Sequence, residues 1–240
     1  FETGWGRANE SWNAIINLEK LGGPAWFRLG DQDLATHLER TRRLKEGKTL
    51  SEITLEFSRV WGIQPTVLPM SDSPIHTIVD TDEGELAFQE YFVHRRCEPR
   101  VKGFRFDGLD SARPSPGTRQ AVESADLVVI CPSNPWVSVD PILKVIGKIN
   151  KPVIAISPII GGQAVKGPAA KMYSELGIEP SALAVAEHYR GLLTGFVLDH
   201  VDEKLAKAIS TKTFVTDTLM KNMADRSRLA GDVLHFAGSF

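Results

Sequence analysis

Four short apolar runs in the second half of the chain restrict what it can fold into. They are "DLVVIC" (126–131), "PVIAIS" (152–157), "GFVLD" (195–199) and "TFVTD" (213–217). A strand with one face in water alternates apolar and polar residues, whereas these are apolar and β-branched at consecutive positions, so both faces must be covered. Helical patterns fall before, between and after them, at 118–125, 140–148, 168–176, 181–190, 202–209 and 220–237. Strand and helix in alternation imply right-handed crossovers and an α/β fold with a doubly wound, Rossmann-like parallel sheet. Ligands of such sheets bind beyond the carboxyl ends of the strands.

The first half has another texture. Helices are expected over 9–21, stopped by Gly22-Gly23, over 33–46, and after Thr49, where Thr49 and Glu52 have the spacing of a capping box. Runs 76–81 and 86–93 around "DEGE" predict a β-hairpin, with a further strand near 101–106. This gives an inserted helix and hairpin lobe, 1–114, beside a nucleotide- or phosphate-binding part, 115–240, packed as one integrated domain. With 42% apolar and 24% charged residues among 240, the chain can bury a sizeable core. A net charge of −2 with scattered Lys and Arg gives no footprint for nucleic acid or an anionic membrane, so a small-molecule partner is expected. Cys97 and Cys131 have no metal or disulfide spacing, which fits a reducing cytoplasm. No apolar run reaches bilayer length, and Phe1 opens a polar segment without Met, so the sequence is expected to begin inside a longer protein.

Two loops follow strands where a ligand is expected. In "PSNPWVSVDPIL" (132–143), Ser133 and Asn134 offer short polar side chains between Pro132 and Pro135, and Ser138 precedes a helix. In "SPIIGGQAVKGP" (157–168), Gly161-Gly162 allow close backbone approach to a phosphate and Lys166 adds a mobile charge. Ordinary turn chemistry accounts for either loop alone. The pair favours a phosphate-type ligand, although neither a Walker loop nor G-x-G-x-x-G occurs.

A third stretch, "AWFRLGDQDLATHLERTRRL" (25–44), sets two rings and two aspartates before a basic helix. Two readings stay open. Asp31 or Asp33 is an N-cap and Trp26 and Phe27 are core residues; or the rings are a platform for a planar ligand and the acids bind a hydroxyl or a metal. His37 reads as a satisfied or solvated histidine. Arg40, Arg42 and Arg43 read as a solvated face that could also steer an anion.

These segments, with "GWGRANESW" (4–12), "LPMSD" (68–72) and "FQEYFV" (88–93), resemble the signature blocks of the 2-phospho-L-lactate transferase family in family order. The resemblance implies transfer of a phospholactyl or phosphoenolpyruvyl group from a guanosine diphospho-conjugate to the ribityl hydroxyl of 7,8-didemethyl-8-hydroxy-5-deazariboflavin. It also implies release of GMP and a requirement for Mg2+. Asp31 or Asp33 would orient or deprotonate the hydroxyl. Trp5, Arg7, Trp12, Trp26, Phe27, Gly30, Met70, Ser71 and Asp72 would line the acceptor site. Ser133, Asn134, Pro135, Ser138, Ser157, Gly161, Gly162 and Lys166 would hold the donor. Family proteins usually begin with a strand, a "GGTGG"-like loop and an aspartate pair. None occurs before Gly4, so the metal ligands are expected mainly in a preceding segment. A homodimer is expected only through the resemblance, and the three-carbon acid is not legible. Two alternatives are a nucleotide-sugar-binding regulator with the same sheet and a nicotinamide-dependent oxidoreductase, the latter disfavoured by the missing glycine fingerprint.

Overall fold

The apolar runs become a parallel sheet because nothing else buries both faces of a short strand. The structure is a computed structural model that describes residues 7–165 and 167–240. In its first half lie helices α1 (Asn13–Lys20), α2 (Asp31–Lys45) and α3 (Leu50–Val60), then strands β1 (His76–Thr81), β2 (Gly84–Ala87) and β3 (Val101–Asp107). In its second half follow α4 (Thr118–Ser124), β4 (Val128–Ile130), α5 (Asp140–Ile146), β5 (Val153–Ile156), β6 (Ile159–Ile160), β7 (Gln163–Ala164), α6 (Ala169–Glu175), α7 (Ala182–His188), β8 (Gly195–Asp199), β9 (Lys212–Thr216) and α8 (Met223–Ala237).

Strands β4, β5, β8 and β9 lie side by side in that order, all parallel. Their alternate residues feed two cores. Val153, Ala155, Phe196 and Leu198 pack with Tyr173, Val185 and Tyr189 from α6, α7 and the residue after α7. Ile154, Ile156 and Val197 pack with Leu229, Val233 and Phe236 of α8. Helices therefore cover both sheet faces, as the consecutive apolar positions require.

Strands β2-β1-β3 form a separate antiparallel sheet. It meets the main body at a third core, where Val79, Tyr91 and Val101 pack on Met172 of α6. The Val101 N–H donates to Glu175 Oε2 at 2.9 Å, across the same seam.

Two expected elements change. The run 86–93 is strand only to Ala87, and the chain then coils helically from Phe88 to His94. "FQEYFV" lacks strand alternation; its helical period sets Phe88 and Phe92 on one side and sends Tyr91, fully buried, into the core. Where a helix is expected over 202–209 the chain forms 3-10 turns over His200–Ala208, and Asp202 within them is buried and accepts the Gly161 N–H of a neighbouring loop. Thr49 and Glu52 do form the capping box on α3.

Candidate functional site

Beyond the carboxyl ends of β4, β5 and β9 lies a cavity of about 450 Å³. Its walls come from the loop after β4 (Ser133, Asn134, Val137, Ser138), the loop after β5 (Ser157, Pro158, Ile160) and residues 165–169. Thr218 and Met220 after β9, Arg226 of α8, and Phe88 and Phe92 of the lobe complete it. The position is the one the strand-end rule designates.

Several donor candidates already have internal partners. Asn134 Oδ1 accepts the Trp136 and Val137 N–H groups at 3.1 and 3.4 Å, so Asn134 caps a helical turn that opens at buried Pro135. The Ser157 hydroxyl donates to the Ile159 carbonyl at 2.8 Å and accepts its N–H at 3.1 Å. Gly161 and Gly162, with φ of 57° and 77°, are the two-residue turn of the β6-β7 hairpin. The Gly161 N–H is spent on Asp202 Oδ2 at 3.0 Å. Lys166 and Trp5 lie outside the described residues. Ser133 and Ser138 line the cavity with hydroxyls that have no hydrogen-bond partner among the described residues.

The acid pair at the mouth of α2 has a structural use. Asp31 accepts Ser11 Oγ at 2.7 Å, the Asn13 N–H and amide at 3.2 Å each, and the Ala14 N–H at 2.9 Å, so it caps α1 from outside. The Ala14 N–H, then the Ser11 hydroxyl and Asn13, hold its carboxyl below the usual carboxylate range. Glu10 returns the service: its oxygens accept the Gln32 and Asp33 N–H groups at 3.0 Å each, capping α2. Gly30 makes room, because a Cβ there would sit 2.2 Å from Glu10 Cδ. Asp33 is the member of the pair whose carboxylate accepts no hydrogen bond among the described residues.

The remaining acceptor candidates hold the lobe together. Trp26 stacks on His94 at 5.0 Å and meets Phe27 edge-on at 5.8 Å. Arg28 lies over Trp12, and Arg7 over Trp61. Asp72 accepts the Ser51 N–H at 2.7 Å and its hydroxyl at 2.9 Å, clamping the 70–72 turn to α3. Ser71 is buried and bonds the Ser73 N–H, and the Met70 carbonyl accepts Ser115. Among the described residues, those assigned to the acceptor do not line the cavity.

Sequence reasoning missed Arg226 and the pair Phe88 and Phe92. The ring spacing i, i+4 was a usable signal. Arg226 carried none, because 93 residues separate it from Ser133 and only the topology joins them. Among the described residues no group of three or more His, Cys, Asp or Glu side chains is placed to hold a metal. Nor is any helix of the described residues long and apolar enough to cross a membrane.

The chain is a parallel α/β protein with a part-aromatic, part-hydroxyl cavity at its strand ends. The chain belongs to the CofD family, whose profile, 2-phospho-L-lactate transferase CofD, matches residues 12–229. It is 36% identical over 233 residues to a 2-phospho-L-lactate transferase of Methanosarcina mazei, covering 94% of this chain and 77% of that protein. To a phosphoenolpyruvate transferase of Streptomyces griseus it is 41% identical over 213 residues, covering 84% and 67%. A crystal structure of protein BH3568 from Bacillus halodurans shares the fold, with a TM-score of 0.62 over 86% of this chain and 72% of that one at 16% identity.

Proposed function

We propose that the chain transfers a 2-phospholactyl or phosphoenolpyruvyl group from a guanosine diphospho-conjugate to the ribityl hydroxyl of the deazaflavin, releasing GMP. The observation that carries this reading is the family match across 218 of 240 residues, together with a cavity built from its matched segments. The relatives named as transferases support an enzyme, and both named acids are kept as candidate cargo.

The reaction is attack of a hydroxyl on phosphorus with GMP as leaving group, and positioning with charge stabilisation supplies most of the rate. Ser133 and Ser138 can donate hydrogen bonds to the equatorial oxygens, and the Arg226 guanidinium can meet the diphosphate. Arg226 has no carboxylate partner among the described residues; its guanidinium reaches only Met223 Sδ, at 3.7 Å. Of the two aspartates, Asp33, at the start of α2 and outside the cavity lining, keeps its carboxylate free for the acceptor hydroxyl, since Asp31 is spent on α1. Mg2+ is usually held by one or two carboxylates together with substrate phosphates, and among the described residues no group of three or more His, Cys, Asp or Glu is placed to hold it without them.

The test is GMP release from the lactyl and enolpyruvyl donors, with and without the deazaflavin and Mg2+. Deazaflavin-dependent release supports the transferase, and the faster donor names the cargo. Donor binding without release under any of these conditions would sink it in favour of a nucleotide-binding regulator.

A further inference from the structure

The turn that lines the cavity after β4 hangs on one residue. Asn134 accepts the Trp136 and Val137 N–H groups through its side-chain oxygen, and the Ser138 and Val139 N–H groups, at 3.1 and 3.2 Å, through its main-chain carbonyl. Residues 136–139 thus all donate to Asn134, and Ser138 among them carries a hydroxyl of the cavity wall. The other end of the same amide is held elsewhere. Asn134 Nδ2 donates to Met172 Sδ at 3.2 Å, and Met172 is fully buried in the seam between lobe and main body, with Val79, Tyr91 and Val101. Trp136 reaches that seam as well, stacked at 6.4 Å on Phe104 of β3 and packed at 4.0 Å on Tyr173 of α6.

We infer that Met172 is a positioning residue for the cavity: its thioether sets the direction of the Asn134 amide, and through it the turn that presents Ser138. The seating of the lobe then fixes the shape of the site. This rests on the transferase reading in so far as Ser138 is given a phosphoryl oxygen to meet. Turned over, the amide would aim Nδ2 at the Trp136 and Val137 N–H groups and its oxygen at the sulfur lone pairs, donor against donor and acceptor against acceptor. The sulfur therefore selects one orientation, although a thioether is a weak acceptor. A turn already held in its binding conformation loses less freedom when a ligand arrives. Leucine would fill nearly the same space without offering an acceptor, which makes positioning and packing separable by substitution.

The test uses the full chain, isotope-labelled for NMR, with GDP as the probe ligand in calorimetry. Met172→Leu is expected to speed hydrogen exchange of the Asn134 side-chain amide by about 10-fold and to weaken GDP binding by roughly 5-fold, the scale of one hydrogen bond. The Trp136, Val137 and Ser138 N–H signals should shift with it. Asn134→Asp approaches the bond from the other end, since its carboxylate can still accept from the turn but has no N–H for the sulfur. Both variants lose one bond, so the urea midpoint of the double variant should match that of the less stable single variant. Additive midpoint shifts, or Asn134 amide signals unmoved by Met172→Leu, overturn the inference and leave Met172 as packing. Signals that move while GDP affinity stays within about 1.5-fold overturn it too, because the turn then does not shape the site. Wild type that binds no GDP would count against the transferase reading instead, while the amide signals and midpoints still decide whether Met172 holds the turn.

Discussion

Asp31 and Asp33 are two positions apart and have different work. Four donors from Ser11, Asn13 and Ala14 converge on Asp31, and those contacts exist whether or not a ligand is present. Asp31→Asn should therefore lower Tm by roughly 2–4 °C and leave turnover within about threefold, because a cap is lost and no reacting group is touched. Asp33→Asn should do the reverse, with an unchanged Tm and turnover down by about 100-fold, the scale of a lost general base. Melting curves beside GMP-release rates separate the two. If Asp31→Asn stops turnover in a folded protein, the division of roles is wrong. At Arg226 the expected loss is in donor binding: Arg226→Gln should raise the donor KM by about 10-fold, since one charge-assisted contact to an anion is removed at an exposed position. Titration of the donor against a fixed deazaflavin concentration measures it.

Helices α1 and α2 start by capping each other, and neither start is self-sufficient. Neither the Trp12 side chain nor Gly30 bonds the first turn it precedes; Asp31 and Glu10 supply those oxygens across the lobe. A Cβ at Gly30 meets the flexible end of Glu10, so Gly30→Ala should displace the carboxylate rather than jam the backbone. Gly30→Ala and Glu10→Gln are each expected to cost about 1 kcal/mol, and the double variant hardly more than either, as two ways of losing one cap. Urea unfolding of the three variants checks this, and additive losses would refute the shared mechanism. The same pair shows what a sequence can carry. Thr49 and Glu52 were legible because a capping box closes over three residues, whereas Glu10 reaches Gln32 across 22. "FQEYFV" has the β-branched and aromatic composition of a strand without its alternation, and the alternation decides.

At the scale of the molecule, the strand-end rule placed the cavity correctly from the apolar runs alone, but which side chains close it depends on how distant loops are tied. Asp199, at the end of β8 and only 6% exposed, is one such tie. Its Oδ1 accepts the Val201 N–H at 3.1 Å, and its Oδ2 accepts the Thr218 N–H at 2.8 Å and hydroxyl at 3.1 Å. The tie holds the loop after β9, which brings Thr218 and Met220 to the cavity and leads into α8 with Arg226. Burial pushes the Asp199 carboxyl up, but the Val201 and Thr218 groups together pull it down by more, leaving it below its ordinary value. A carboxyl depressed in the folded state stabilises fully above its unfolded value, and that contribution is lost as pH falls through the folded value. Asp199→Ala leaves buried N–H groups unpaired and should cost about 3 kcal/mol at neutral pH, roughly 10 °C in Tm. Because the variant cannot titrate at this position, its deficit against wild type should begin to shrink as pH falls below about 4, where the unfolded chain's carboxyl takes up its proton, and go on shrinking until the depressed native carboxyl is protonated too. Donor affinity should fall with the tie, since the loop leading to Arg226 is no longer held. Melting temperatures of both proteins from neutral pH down to about pH 3 decide the matter: a deficit constant across that range would show that Asp199 stabilises by packing and not through its charge.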